Sequence, residues 1–316
     1  MEDLVRRRHT ELSEDALNLV CCAWRSSTKT VYQSAWHKWT QWCLSQQTKE
    51  GGAISPEAPT PAQFVNFLAY LNAKEGLKPG TICVKKSAIF QFLPQPVYKS
   101  IVKSTEFRLF LQGLKKSQPR VKKSFIWNVE TVIAALANTV VNKESLYLLG
   151  RHLALLILLF SGRRVHDLSL LSIAFGNILW EDDAVVLQPI HGSKMDSYSR
   201  KQLPIRFVNG PHVSLSIPTL LEYYLRLSQP VRGSHTALFL SPQLPHEPAK
   251  PQKLRYWCKS LLGECGVGKP PPGSTRSAIA TYSLLEGVPI EAVMERGNWR
   301  SAHVVFSHYF RPASQS

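Results

Sequence analysis

Apolar side chains recur every three or four residues through the first 115 positions of the chain. Between Ser13 and Leu44 this spacing predicts two helices, with Ser26-Ser27-Thr28 as the start of the second. Thr60-Pro61 is a favourable helix start ahead of a third apolar stripe that ends near Leu71. Two further helices are predicted over 82–92 and 104–114. The pattern therefore predicts an all-helical N-terminal part.

Beyond residue 128 the pattern becomes mixed. Helices are predicted over 129–141 and 144–160, and the second is apolar on nearly every side, which places it at the centre of its domain. Three short runs typical of strands predict a small antiparallel sheet: Asn177–Trp180, Ala184–Leu187 and Gln202–Ile205. The later helices are predicted at about 218–228, 250–265, 274–286, 289–296 and 301–310.

A basic segment around a proline separates the two patterns. It predicts a domain boundary, with a helical domain over 1–114, a linker over 115–123 and a second domain over 124–316. The linker cations are Lys115, Lys116, Arg120, Lys122 and Lys123. Such a segment can lie against phosphates, act as a nuclear import signal or simply remain solvated.

Composition narrows the class of protein. Of 316 residues, 44% are hydrophobic and only 19% charged, which is typical of a folded chain and excludes a disordered regulator. The net charge is +16, and the excess is shared: residues 1–120 carry 17 basic and 9 acidic side chains, and residues 121–316 carry 21 and 13. A shared excess indicates two basic faces on one nucleic acid, although a generally basic surface gives the same count.

The six cysteines form no CxxC pair and have no histidine spacing suited to zinc. The N-terminus lacks the apolar core of a signal peptide, and the longest apolar run has eight residues. We expect an intracellular protein without a metal, cofactor or membrane span.

Three islands of arginine and aromatic residues carry candidate chemistry. Ser161-Gly162-Arg163-Arg164 follows the most apolar helix, where charge is costly unless it is paired or meets an anion. Gly273-Ser274-Thr275-Arg276 opens a helix whose N-terminus favours an anion. Gly297-Asn298-Trp299 precedes Tyr309 by ten residues.

The order and spacing of these islands resemble a tyrosine recombinase of the phage-integrase type, over nearly the whole chain. Arg164, followed by Asp167-Leu168, resembles the first arginine motif, and Arg276 the second. Lys194 stands at the β-hairpin lysine, Trp299 at the Gly-x-His/Trp element and Tyr309 at the nucleophile. The resemblance implies a helical core-binding domain followed by a mainly helical catalytic domain with a small antiparallel sheet.

The chemistry implied by the resemblance suits these residue types. Two guanidiniums can hold the non-bridging oxygens of a phosphodiester, a role for Arg164 and Arg276. A tyrosine hydroxyl beside cations can attack phosphorus and form a covalent 3′-phosphotyrosine, a role for Tyr309. A lysine protonates the departing 5′-oxygen, with Lys194 the first candidate and Lys201 the second. Asp167 would hold an arginine or the hairpin in place.

The sequence departs from the family pattern at Gly273, where a histidine usually stands three residues before the second arginine. His303 and His308 are candidate replacements for this base, although exposed histidines are often only solvated. Trp299 is either part of the site or an ordinary core tryptophan.

The resemblance also implies the partners. We expect double-stranded DNA, a tetramer assembled on two DNA sites and a four-way junction intermediate. The sequence around Arg276 and Trp299 is most similar to recombinases of eukaryotic mobile elements of the DIRS and Ngaro kind. This similarity implies integration or excision of a mobile element, in the nucleus of a eukaryotic host or in the cytoplasm of a host without a nucleus. Two alternatives stay open: an inactive DNA-binding derivative and a type IB-like topoisomerase.

Overall fold

The computed structural model describes residues 11–46, 52–117, 126–194, 196–268, 270–271 and 273–312. The chain divides into two units, Met1–Lys122 and Lys123–Ser316. Within the described residues, no helix combines the length and apolar character that a bilayer span requires.

The described part of the first unit is helical, as predicted. Its helices are α1 Glu14–Cys22, α2 Ser26–Ser45, α3 Pro61–Ala73, α4 Pro79–Phe90, α5 Gln95–Lys103 and α6 Thr105–Lys116. Trp39 of α2 is fully buried, with its ring centroid 5.5 Å from that of Phe64 and 5.0 Å from that of Phe67 on α3. This aromatic cluster forms the centre of the unit's core.

Local capping explains why several helix starts could be read from the sequence. Thr60 accepts a hydrogen bond from the Gln63 backbone N–H at 3.2 Å, and the Gln63 side chain accepts one from the Thr60 N–H at 2.9 Å, so a capping box opens α3. Helix α5 was not predicted, because Pro94 and Pro96 flank its start. Proline is compatible with the first helical turn, where its missing N–H costs no internal hydrogen bond.

The first two residues of the predicted linker are helical. Lys115 and Lys116 lie in the last turn of α6, where positive charge is favoured by the exposed carbonyls of the helix end. Arg120, Lys122 and Lys123 lie outside the described residues.

The second unit contains the mixed part of the fold. Its helices are α7 Val129–Ala137, α8 Leu146–Ser161, α9 Val165–Leu168, α10 Ile217–Ser228, α11 Pro251–Leu262, α12 Ser274–Leu285, α13 Ile290–Gly297 and α14 Ala302–Val304. Its strands are β1 Ile178–Trp180, β2 Ala184–Leu187 and β3 Ile205–Val208.

The three strands form an antiparallel sheet in the order β1-β2-β3, in which Trp180 faces Val185 and Val185 faces Phe207. The first two strands match the prediction, but β3 begins at Ile205, whereas the sequence predicted Gln202–Ile205. Pro204 cannot donate to a strand ladder, and the alternation of buried and exposed side chains starts only at Ile205.

Helix α8 is the centre of this unit, as its apolar pattern predicted. The five consecutive residues Leu153 to Ile157 are all buried, and α10, α11 and α12 pack around the helix. The first arginine island therefore directly follows the C-terminal end of a buried helix.

The last predicted helix, 301–310, is interrupted. The short helix α14 is followed by a π-helical turn over Val305–Tyr309, with Val305 fully buried. The wider turn changes the direction of the residues after Val304 and ends at Tyr309.

Candidate active site

Arg163 is the buried arginine that completes the fold around the site. Gly162, with φ of 64°, ends α8 in a left-handed conformation. The Arg163 side chain, 2% exposed, then donates to three acceptors: Arg296 O at 2.8 Å, Gln202 Oε1 at 3.0 Å and Leu203 O at 3.2 Å. Burial lowers its pKa. All of these acceptors belong to the protein, so Arg163 ties α8 to α13 and to the segment before β3.

Arg164 differs from its neighbour because part of its guanidinium has no acceptor. The residue is half-buried, and its Nη1 is shielded from solvent without a hydrogen-bond partner among the described residues. A buried donor in this state costs free energy until an acceptor arrives. Arg164 is therefore the member of the pair that is available to an anion.

Asp167 connects Arg164 to the loop between β2 and β3. Its Oδ2 accepts from the Arg164 backbone N–H at 3.0 Å, and its Oδ1 accepts from the Ser193 hydroxyl at 3.0 Å. Asp167 is 3% exposed and Ser193 is fully buried. The carboxylate thus fixes both the first turn of α9 and the residue that precedes Lys194.

Arg276 lies at the meeting point of the three islands. It is 4% exposed, and its Nη1 donates to Gly162 O at 2.7 Å and to Gly297 O at 2.6 Å. Its Nε and Nη2 are buried and have no partner among the described residues. Burial, followed by the positive charge of Arg164, lowers the pKa of Arg276 to about 10. This value is still well above neutrality, so the guanidinium remains charged.

Trp299, Arg276 and Tyr309 pack against one another. The guanidinium carbon of Arg276 lies 3.6 Å from the Trp299 ring centroid and 5.1 Å from that of Tyr309. The two aromatic rings meet edge to face, with their centroids 5.2 Å apart. Aromatic faces stabilise a cation at these distances. Trp299 is 4% exposed, but its indole N–H is buried without a partner among the described residues.

Thr281 holds the backbone that directly follows the Tyr309 side chain. Its hydroxyl donates to Tyr309 O at 3.2 Å and accepts from the Arg311 N–H at 2.9 Å. Because Thr281 lies on α12, the helix that begins with the second arginine island, Arg276 and Tyr309 are positioned by the same element.

A cavity of about 400 Å³ opens over these side chains. Arg164, Arg276, Gly273 and Tyr309 all line it. The remaining lining residues are Leu158, Arg163, Val165, His166, Arg255, Cys258, Lys259, Leu262, Pro270, Pro271, Ser274 and Thr275. Among these described residues there is no carboxylate, so the positive charges of the cavity wall are not neutralised within the cavity. An anionic ligand fits this arrangement.

Gly273 leaves one side of the cavity open. It has φ of 73°, and a Cβ built on it would meet nothing within 4 Å. The position where the family pattern usually has histidine therefore contributes no side chain.

The other basic residues predicted for the site lie away from this cavity. Lys194 and Lys201 are exposed in the β2–β3 loop, and His303 and His308 are exposed near Tyr309; none of the four lines the cavity. No group of His, Cys, Asp or Glu within the described residues could hold a metal ion.

Three side chains in the cavity wall were missed by the sequence reasoning. Arg255 and Lys259 lie on α11, and His166 lies on α9, which packs against α11. Only the spacing of Arg255 and Lys259, four residues apart on one helix face, was visible in the sequence. Their approach to the arginine islands depends on packing between segments about 90 residues apart.

Gly297 offers a test of how the site is packed. A Cβ at this position would lie 1.8 Å from the Trp299 ring, so Gly297→Ala should displace the indole and reduce the free energy of unfolding by about 1–3 kcal/mol. The matched control is Gly113→Ala in α6, where a Cβ meets nothing within 4 Å and should gain up to about 1 kcal/mol. Denaturant unfolding and near-ultraviolet circular dichroism measure both effects; equal stability of the two variants would contradict the packing described.

Comparison with solved structures identifies the fold of the chain. No protein-family model matches the sequence, and a search of curated proteins finds no match. The chain is similar to solved recombinase and integrase structures at low sequence identity. The XerH site-specific recombinase, in a post-cleavage complex with palindromic difH substrate, has 14% identity and a TM-score of 0.61, with 98% of this chain and 91% of that chain covered.

The integrase of the transposon Tn1549, in complex with transposon right end DNA, has 12% identity and a TM-score of 0.58 over 99% of this chain and 95% of that chain. A lambda integrase tetramer bound to a Holliday junction has 15% identity and a TM-score of 0.54 over 93% and 75%. The predicted fold class is confirmed: the protein is mostly helical with a small three-stranded antiparallel sheet, and it has the tyrosine-recombinase fold.

Proposed function

We propose that the protein is a site-specific DNA recombinase that cuts and rejoins DNA through a covalent bond between Tyr309 and a 3′-phosphate. One observation carries the proposal: Tyr309 lines the same cavity as two arginines whose buried nitrogens have no partner among the described residues. Unpartnered buried donors are uncommon in folded proteins and call for a ligand. A phosphate group has several oxygen acceptors and therefore suits two guanidinium groups with free donors.

The two arginines would act on the charge that develops in the transition state. Nη1 of Arg164 and Nε and Nη2 of Arg276 have no acceptor among the described residues. The Arg276 side chain is already fixed by burial and by two carbonyl contacts. Donors placed before the reaction stabilise charge on the non-bridging oxygens without having to reorganise. The same positive charges stabilise the negative charge on the attacking Tyr309 oxygen.

Lys194 is proposed to protonate the departing 5′-oxygen. It is exposed, but the residue before it is bound to Asp167, and Asp167 is bound to Arg164. The start of the loop is therefore anchored beside the arginines, and the rest of the loop would bring Lys194 to the leaving group when DNA binds. Lys201 is the alternative in the same loop.

The proposed partner is double-stranded DNA, and the proposed assembly is a tetramer on two sites. The net charge of +16 supports a polyanionic partner. The DNA-bound integrase tetramer among the similar structures supports the assembly. We further propose a role in integration or excision of a mobile element of the DIRS or Ngaro kind. The site of action would be the nucleus of a eukaryotic host or the cytoplasm of another.

An inactive DNA-binding derivative is the second candidate, and Gly273 is the observation that favours it. The cavity wall is open at that position, which removes the usual base. A type IB-like topoisomerase would use the same residues but relax supercoils without exchanging strands between sites.

Tyr309→Phe tests the proposal. The substitution removes one oxygen and no charge, so it should abolish the covalent adduct on a nicked candidate site while DNA affinity stays within about threefold. The matched control is Tyr223→Phe, since the Tyr223 ring lies under Lys143 and does not line the cavity. The adduct is measured by denaturing gel electrophoresis in the presence of a chelator.

The alternatives give different results in that assay. An adduct that persists in Tyr309→Phe would contradict the nucleophile assignment. DNA binding by the wild type without any adduct indicates the inactive derivative, and relaxation without exchange indicates a topoisomerase. Cleavage that disappears in chelator and returns with magnesium would favour a nuclease.

Lys194→Ala tests the role of the loop. The variant should cleave an ordinary phosphodiester poorly but recover when the bridging 5′-oxygen is replaced by sulfur, because a thiolate leaves without a proton. Arg276→Ala should not recover, because sulfur at the bridge does not replace stabilisation of the non-bridging oxygens. Recovery of Lys201→Ala alone would move the acid to Lys201, and recovery of neither lysine variant would place it elsewhere.

A further inference from the structure

The attack of Tyr309 on phosphorus requires a proton acceptor, and the cavity wall limits the choice. Arginine and lysine side chains are protonated at neutral pH, and no carboxylate lines the cavity among the described residues. The hydroxyls of Ser274 and Thr275 are weak bases. Burial raises the pKa of the Cys258 thiol to about 12, so it stays protonated. The remaining lining side chain with a ring nitrogen that can accept a proton is the imidazole of His166.

His166 lies on a well-anchored element. Helix α9 is fixed at its start by the Asp167 carboxylate, and the Ser169 hydroxyl donates to the His166 carbonyl at 2.7 Å. The helix packs on α11, so the backbone of His166 is held while its exposed side chain faces the cavity. A firmly held backbone and an accessible ring suit a group that exchanges protons.

Gly273 leaves open space in the cavity that His166 lines. A Cβ at that position would meet nothing within 4 Å, and Gly273 itself places no side chain in the cavity. His303 and His308, the replacements considered from sequence, are exposed and do not line the cavity. The imidazole that shares the cavity with Tyr309 comes instead from the residue two positions after Arg164.

We propose that His166 is the general base that accepts the Tyr309 proton, an inference that rests on the proposed function. The Tyr309 oxygen forms a bond to phosphorus, its proton moves to a ring nitrogen of His166 directly or through one water, and the bond from phosphorus to the 5′-oxygen breaks. That oxygen takes a proton from the acid of the β2–β3 loop. In the rejoining step, His166 returns its proton to Tyr309.

The charges around the imidazole couple this step to phosphate binding. The cations of the cavity wall are Arg163 and Arg164 beside α9, Arg255 and Lys259 on α11, and Arg276 on α12. A phosphate bound among these cations would place negative charge beside the imidazole, where it stabilises the positive charge that forms as Tyr309 loses its proton.

Replacement of His166 gives the first test. His166→Ala should slow adduct formation on a nicked DNA site at least ~100-fold, while DNA affinity stays within about threefold. His166→Gln keeps a hydrogen-bond donor but not a base, and it should be slowed to a similar extent. The control is His212→Ala, since His212 is exposed and does not line the cavity.

A second measurement separates a base from a structural residue. Tyr309 is replaced by a fluorotyrosine, whose hydroxyl is more acidic and needs less help to lose its proton. If His166 is the base, the defect of His166→Ala should shrink by about tenfold or more on this background. A purely structural role would leave the defect unchanged.

The outcomes distinguish this inference from the proposed function. A wild type that forms no adduct contradicts the proposed function and this inference with it. Equal adduct formation by wild type and His166→Ala contradicts the base assignment alone. The assignment is likewise overturned by an unchanged defect with fluorotyrosine, or by a loss in His308→Ala that His166→Ala does not show.

Discussion

The contact on which the rest of the site depends is the pair of hydrogen bonds from Arg276 Nη1 to the carbonyls of Gly162 and Gly297. These carbonyls lie at the C-terminal ends of α8 and α13, where helix carbonyls lack internal partners and carry partial negative charge. One buried guanidinium therefore joins three segments that are far apart in sequence. The two helix ends compensate its charge without using a carboxylate, which leaves Nε and Nη2 for a ligand.

The adjacent residues Arg163 and Arg164 likewise divide their hydrogen-bond donors between the fold and a ligand. Arg163 uses its side chain to complete the fold, whereas Arg164 keeps a buried nitrogen without a partner among the described residues. Asp167 accepts from the Arg164 backbone and from Ser193, so this carboxylate is occupied by positioning contacts and does not line the cavity. The result is a cavity in which positive charge remains available.

Sequence patterns were informative where structure is decided locally. The apolar run of α8, the Thr60-Pro61 helix start and the first two strands could all be predicted from the sequence, because propensity, capping and burial agree there. The start of β3 was missed because Pro204 moves the strand past the predicted segment. Helix α5 was missed because its prolines resemble a break when no cap is visible.

The residues of the candidate site fall into the same two groups: those that local sequence patterns predict and those that depend on packing between distant segments. Arg164, Arg276, Trp299 and Tyr309 were identified from motifs and resemblance, and the structure brings all four together. The roles of His166, Arg255 and Lys259 could not be inferred, because they depend on α9 packing against α11. The sequence also could not show which of two adjacent arginines keeps free donors, since that depends on acceptors near residues 202 and 296.

The most direct test of this account is a crystal structure of Tyr309→Phe with an uncleaved DNA site. The account predicts a backbone phosphate in the cavity, with its non-bridging oxygens within hydrogen-bond distance of Arg276 Nε or Nη2 and of Arg164 Nη1. DNA bound elsewhere on the protein, with these nitrogens still facing an empty cavity, would contradict it.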